Sequence, residues 1–229
     1  MEQLSHKEKY NQMSNKYKSI SVNTVISWSK STSDLQGWRN KLIDISSSLN
    51  PNNLLDMGGG NGQQMLRFKS IYKNSFIAWI VDFAEKPKEI LELLKINKFN
   101  YIKQDVFQFL ENNKLPKFDM VYMFGFLHEI KNVESLLIKL KKKTSADCNI
   151  IISDNNLYRS ASELSKILNI TNTNFTVYSS KSYFNMMHIF TKISGIGEKK
   201  IYCFHKGRVD KILAVSSSLK KKNQFINLI

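Results

Sequence analysis

Short apolar runs alternate with segments of helical spacing along most of the chain. Leu35, Trp38, Leu42 and Ile45 recur on one helical face and stop before "NPNN", which predicts a helix ended by a turn. "LLDM" then reads as a short buried strand and "GQQMLRFKSIY" as a helix. "SFIAWIVDF" is β-branched and of strand length, and Pro87 with the Ile90, Leu91, Leu93, Leu94 pattern opens the helix after it. "NYIKQDV" predicts a third strand, Phe107 to Asn112 a short helix, and "FDMVYMFGF" a fourth strand. Val133, Leu136, Leu137 and Leu140 then mark a helix, and "CNIIISDNN" a fifth strand.

Beyond Asp154 the pattern predicts a polar helix from about Ser160 to Leu168 and an apolar helix near Tyr183 to Ile193. Two strands follow, "KKIYCF" and "KILAVSS", joined by "HKGRVD". A parallel connection needs about a dozen residues or more, so this last pair is expected to be antiparallel. The five earlier strands, separated by helices, imply right-handed crossovers and a parallel sheet covered on both faces. The expected fold is therefore α/β: a Rossmann-like, doubly wound sheet of seven strands, mostly parallel, with an antiparallel last pair.

Composition adds bounds. With 229 residues, 42% of them hydrophobic, the chain can bury the core of one large domain. It has no uninterrupted apolar stretch of about 18 residues, and "MEQLSHKEKYNQMSNKYKS" is too polar for a signal peptide, so a cytoplasmic protein is expected. Cys148 and Cys203 each sit alone in an apolar run, as buried free thiols do, and no metal site is expected. Lys and Arg number 34 against 19 Asp and Glu, a net charge of +15 that favours anionic partners: RNA, an anionic membrane surface or an anionic substrate. The charge is scattered lysine, with short runs only at Lys141 to Lys143 and Lys220 to Lys222, in a chain also rich in Asn and Ile. A solvated basic surface accounts for that distribution.

The chemistry concentrates in "NLLDMGGGNGQQMLRF", Asn53 to Phe68, where an expected strand meets an expected helix. A phosphate-binding loop would need Lys followed by Ser or Thr after the last glycine, and a dinucleotide fingerprint would need glycine where Gln63 stands. The spacing present is D-x-G-x-G-x-G, from Asp56 through Gly58 and Gly60 to Gly62, with Gly59 at a variable position.

This spacing resembles motif I of the class I S-adenosylmethionine-dependent methyltransferases. The resemblance implies S-adenosylmethionine as cofactor, with Asp56, Gly58, Gly60 and Gly62 at its amino acid part, where backbone N–H groups and a helix dipole favour a carboxylate. Asp82, ending the second strand beside Phe83, corresponds to the acid that accepts the ribose hydroxyls, and an ionised carboxylate suits a diol. Asp105 corresponds to the acceptor for the adenine amino group, with Val106 beside the ring. Phe118 and Asp119 open the fourth strand as the family's "FD" does, and Phe124 closes it at the cofactor.

Residues from about 10 to 155 are further similar in layout to the ubiquinone/menaquinone C-methyltransferases, through Tyr17, the Trp38–Arg39 pair and the Phe124–Gly125 pair. Leu127 and His128 stand where that family has Arg and Asn, and Lys18 where it has Asp. On this reading residues 1–229 form one methyltransferase domain. A helical cover spans 1–50, a cofactor-binding half 51–156, and a short insert, helix and final hairpin on the substrate side 157–229.

The expected reaction is methyl transfer to a small acceptor, aromatic or quinone-like, at carbon or oxygen. Tyr10, Tyr17 and Trp28 are candidates to cover the sulfonium and the acceptor, since aromatic faces attract cations. A phenol or acidic ring carbon calls for a general base near working pH, and His128, following the fourth strand, is the first candidate, with Asp154 the second. His188 is a substrate-side candidate, while His6 and His205 lie nearer the two ends. Two alternatives stand beside this: an RNA methyltransferase, for which the charge argues, and an accessory subunit that binds the cofactor without turnover. The RNA reading lacks an N/D-P-P-Y/F motif, a cysteine pair and an appended RNA-binding module.

Overall fold

A computed structural model describes residue 15 and residues 17–32, 34–47, 49–155 and 186–192. The helix expected at 160–168 and both strands of the final hairpin lie outside these residues. Among those described, the order is α1 (Val22–Lys30), α2 (Asp34–Ser47), β1 (Asn53–Met57), α3 (Gln63–Ile71), β2 (Ile77–Asp82), α4 (Lys88–Ile96) and β3 (Asn100–Lys103). It continues with α5 (Val106–Glu111), β4 (Phe118–Phe124), a 3-10 turn (Leu127–Glu129), α6 (Val133–Lys141), β5 (Thr144–Asn155) and β6 (Met186–Lys192).

Local chemistry starts these helices where the sequence offers a side-chain acceptor. Ser21 Oγ accepts from Thr24 N at α1, Asp105 Oδ1 from Phe107 N and Gln108 N at α5, and Asn132 Oδ1 from Ser135 N at α6. Each bond satisfies an N–H that the first helical turn leaves without an intrahelical partner.

The described sheet has six strands in the order β3-β2-β1-β4-β5-β6. β1 to β5 are mutually parallel, and β6 runs antiparallel to β5, with Ser153 opposite His188 and Ile151 opposite Phe190. The sequence reading is corrected here: the segment expected to be an apolar helix near Tyr183 to Ile193 is strand β6 over Met186–Lys192. A short apolar run fits either period, and "HIFT" is β-branched and aromatic. Pairing with β5 decides the outcome.

Side-chain alternation along the strands divides the core in two. Leu54, Ile80, Met120 and Tyr122 face α1 to α4 with Val25, Leu42, Ile43, Phe68 and Leu94. Leu55, Met57, Val121 and Ile150 face α5 and α6 with Phe109, Leu136 and Leu140. A register shift between Phe118 and Met120 puts Phe118 on the α5–α6 side. Asp119, at that shift, accepts from Asn52 N and Asn53 N and so fixes where β1 begins. Cys148 is a buried free thiol, as its apolar run implied.

The N-terminal helices are tied to this sheet by polar bonds. Buried Asn40 on α2 donates through Nδ2 to the carbonyls of Trp28 and Ser31, both at 2.8 Å, closing the α1–α2 corner. Ser46 on α2 and Tyr122 on β4 share a buried hydroxyl bond of 2.6 Å. Arg67 on α3 binds both oxygens of Asp44 on α2. Among the described residues no helix is long and apolar enough to cross a membrane.

Candidate active site

Strand order reverses between β1 and β4, so the loops leaving their carboxyl ends diverge and open a crevice, the place where doubly wound sheets bind ligands. The glycine loop leaves β1 here, and Gly125 leaves β4. Gly58, Gly60 and Gly62 have φ of 67°, 54° and 79°, so the chain coils tightly, with the N–H groups of Gly58 and Gly59 donating to the Val81 carbonyl and that of Gly62 to the Gly59 carbonyl. Gly62 serves as the N-cap of α3 without any side-chain cap, and a Cβ on it would lie 2.4 Å from Leu94 Cδ2. Only glycine meets both its backbone and its space.

Gly59, which the motif leaves variable, has a reason of its own. A Cβ there would sit 2.6 Å from Asp56 Oδ2 and 2.8 Å from Ile80 Cγ2. The middle one of the three consecutive glycines thus makes room for the Asp56 carboxyl group, folded back under its own loop.

Asp56 is fully buried, and neither of its oxygens has a hydrogen-bond partner among the described residues. Burial, with the negative charge of Asp82 adding to it, pushes its pKa up to about 8, against a smaller opposing pull from Arg39. Asn61 (both polar side-chain atoms) and Gln64 Oε1 are also buried at this loop without a partner among the described residues. A cluster of unmet polar atoms around a glycine cradle is what a polar ligand would satisfy. The residues present fit an adenosyl amino acid on that ground.

Asp82 ends β2 on the same sheet face as Asp56. Its Oδ2 accepts from Gly60 N at 2.9 Å and its Oδ1 from Ala84 N at 2.8 Å. Oδ1 also lies 3.1 Å from Lys86 Nζ, an ion pair that falls short of an aligned hydrogen bond. Phe83 is half-buried in the turn that follows. Asp105 is exposed, and both of its helix-capping bonds fall on Oδ1. Val106 beside it is buried. Phe124 is buried at the end of β4, its ring 5.4 Å from that of Tyr122 and beneath the Arg39 guanidinium.

The N-terminal segment lies over this crevice. Tyr17 Oη would be 3.3 Å from a Cβ on Gly60, and Lys86 Nζ sits 3.6 Å from the centre of the Tyr17 ring. Burial and the charge of Asp82 raise the Tyr17 pKa far above that of a free phenol. Lys18 reaches Glu85 at 3.9 Å on the same turn. Trp28 is half-buried on α1. Tyr10, His6 and His205 lie outside the described residues.

The structure brings together Asp56, Gly58, Gly60, Gly62, Asp82 and Tyr17, and leaves Asp105 at the rim. His128 falls in the 3-10 turn directly after β4 and Gly125, and Asp154 near the end of β5. The backbones of Asp154 and His188 lie one register step apart on neighbouring strands. Three residues of the site escaped the sequence reading: Gly59, Arg39 as a charge beside Asp56, and Lys86. The last had a signal in its spacing, four residues after Asp82 across a tight turn.

A methyltransferase domain family matches residues 28–190. No curated protein sequence matches the chain. Among solved structures it is similar to a candidate O-methyltransferase from Nostoc punctiforme, at 15% identity and a TM-score of 0.56, covering 81% of this chain and 68% of that one. It is also similar to the plantazolicin methyltransferase BamL, solved with a triazolic desmethylPZN analogue and S-adenosylhomocysteine, at 16% identity and a TM-score of 0.51, covering 77% of this chain and 73% of that one. A third is an S-adenosylmethionine-dependent methyltransferase from Aquifex aeolicus, at 17% identity and a TM-score of 0.54, covering 73% of this chain and 97% of that one. Identities this low speak for the fold, while the family match spans most of the chain. The glycine cradle, its acids and that match agree: the chain belongs to the methyltransferase domain family and is an S-adenosylmethionine-dependent methyltransferase.

Proposed function

We propose that the chain methylates a small acceptor, aromatic or quinone-like, at oxygen or carbon. The observation that carries this reading is the cover: Tyr17 of the N-terminal segment lies against Gly60 of the glycine loop and over Lys86, which favours an acceptor small enough to fit beneath that segment. Several solved relatives of the fold are named as O-methyltransferases, which supports oxygen among the possible acceptor atoms.

In this proposal the N–H groups that open α3 hold the cofactor's carboxylate, with Asn61 and Gln64 supplying further polar atoms, while the N–H groups of Gly58, Gly59, Gly60 and Gly62 shape the loop by donating to Val81, Asp82 and Gly59. Asp82, beside Phe83, accepts the ribose hydroxyls. Asp105 has Oδ2 left to accept from the adenine amino group while Oδ1 keeps its capping role, and Val106 and Phe124 are apolar walls. Bound S-adenosylmethionine supplies a sulfonium methyl group. The protein's part is to align donor and acceptor, worth up to about 7 to 11 kcal/mol in favourable cases, and to exclude water. His128, on the turn after β4, takes the acceptor proton, with Asp154 as the alternative base, and Tyr17, Trp28 and His188 stand on the substrate side.

Basic residues stand at both ends of the sheet, Lys18, Lys86 and Arg39 beside the crevice and others away from it, so the charge does not single out an RNA surface at this site. Lys117 donates to the Lys142 carbonyl, Lys143 to the Asn112 carbonyl, and Lys139 pairs with Glu111. These lysines gather where β4 and β5 begin, at the end of the sheet opposite the glycine loop. An anionic membrane surface remains a use for them that would not involve the crevice. The test is incubation with methyl-labelled S-adenosylmethionine and separate RNA, lipid-quinone and small-metabolite fractions. Label in a small aromatic or quinone product supports the reading. Label in RNA overturns it, and cofactor binding without transfer to any fraction favours the accessory subunit.

A further inference from the structure

We propose that Lys86, held under the ring of Tyr17, is a latch on Asp82 that must leave before the cofactor's ribose can bind, so that these two residues set cofactor affinity. The inference rests on Asp82 being the ribose acceptor.

In the described conformation Asp82 is already engaged. Gly60 N–H and Ala84 N–H take one oxygen each, and the Lys86 ammonium lies against Oδ1 at 3.1 Å. A ribose diol donates two hydroxyl hydrogens and needs both oxygens accessible, and Lys86 stands in front of one. The Lys86 side chain is 0% exposed, because Tyr17 closes over it. Tyr17 also rests against Gly60, whose N–H is one of the two backbone donors to Asp82. One contact set therefore covers the carboxylate and the glycine loop beside it.

The latch is built to open. A buried ammonium carries three N–H donors, and among the described residues it meets one carboxylate oxygen and one ring face, so burial pulls its pKa down despite the charge of Asp82. Moving Lys86 out returns it to water, and that hydration offsets much of the lost pairing. Lys86 and Tyr17 touch directly, so displacing one uncovers the other.

The experiment uses the full chain and S-adenosylhomocysteine. By calorimetry Lys86→Met is expected to bind roughly tenfold tighter than wild type, because the binding-competent population is no longer limited by the latch. Tyr17→Ala should tighten binding a few-fold in the same direction. Amine acylation read peptide by peptide gives a second measure that needs no variant: Lys86 should be slow to react in the free protein and faster once ligand is bound. Unchanged or weaker binding by Lys86→Met, or Lys86 more protected with ligand, overturns the latch. If Asp82→Ala still weakens binding while Lys86→Met leaves it unchanged, the latch alone fails. If Asp82→Ala has no effect, the ribose reading fails with it.

Discussion

Replacing Asp56 by Asn should remove a specific slope from the pH dependence of stability. The Asp56 carboxyl is fully buried without a hydrogen-bond partner among the described residues, and its pKa rises from 3.8 to about 8. Between these values the folded chain holds one proton that the unfolded chain has released. Stability from this group is thus complete below the unfolded pKa and is lost as pH rises towards the folded one. The rate of loss is about 1.4 kcal/mol per pH unit, so between pH 5 and 8 it reaches on the order of 4 kcal/mol. Asn has nearly the same shape and stays neutral throughout. The assay is urea unfolding of both proteins at several pH values, taking the difference so that other titrating groups cancel. The variant should gain on wild type steadily from pH 5 to 8 and level off above that. Parallel stability curves would refute the argument that Asp56 is held neutral by burial.

Three further substitutions test single contacts. Gly59→Ala drives a methyl group against Asp56 and Ile80, and should cost about 1 to 3 kcal/mol by thermal unfolding; an unchanged melting temperature would mean the loop has room. Tyr122→Phe removes the buried bond to Ser46 while keeping the ring, and should cost about 1 to 2 kcal/mol in urea; no loss would show that the bond does not tie α2 to the sheet. Asp105→Asn should keep the α5 cap to within about 0.5 kcal/mol yet weaken S-adenosylhomocysteine binding roughly tenfold. Unchanged affinity would leave Asp105 as a cap alone.

The alternation of elements was legible because the central strands β1, β2 and β4 are largely buried on both faces and the helices between them carry apolar stripes. Leu54, Leu55, Ile80 and Val81 mark strands by composition, and Ile90 and Leu94 mark a helix by spacing. β6 was not legible: residues 183–193 fit a helix as well as a strand, and only pairing with β5 separates them. Within the site, the motif spacing located Gly58, Gly60 and Gly62, because the tight turn constrains the backbone directly. Gly59 could not be explained from sequence, since its constraint is the Asp56 side chain and Ile80 from the next strand. Lys86 looked like one more surface lysine in a basic chain. Its burial depends on Tyr17 arriving from an element far away in sequence.

The central claim is that the crevice beside the glycine loop binds the cofactor through Asp82. Titrating S-adenosylmethionine into wild type and Asp82→Ala by calorimetry tests it most directly. Saturable single-site binding to wild type, abolished in Asp82→Ala while the variant still unfolds cooperatively, is the predicted result. No binding to wild type, or equal affinity in the two proteins, would contradict it.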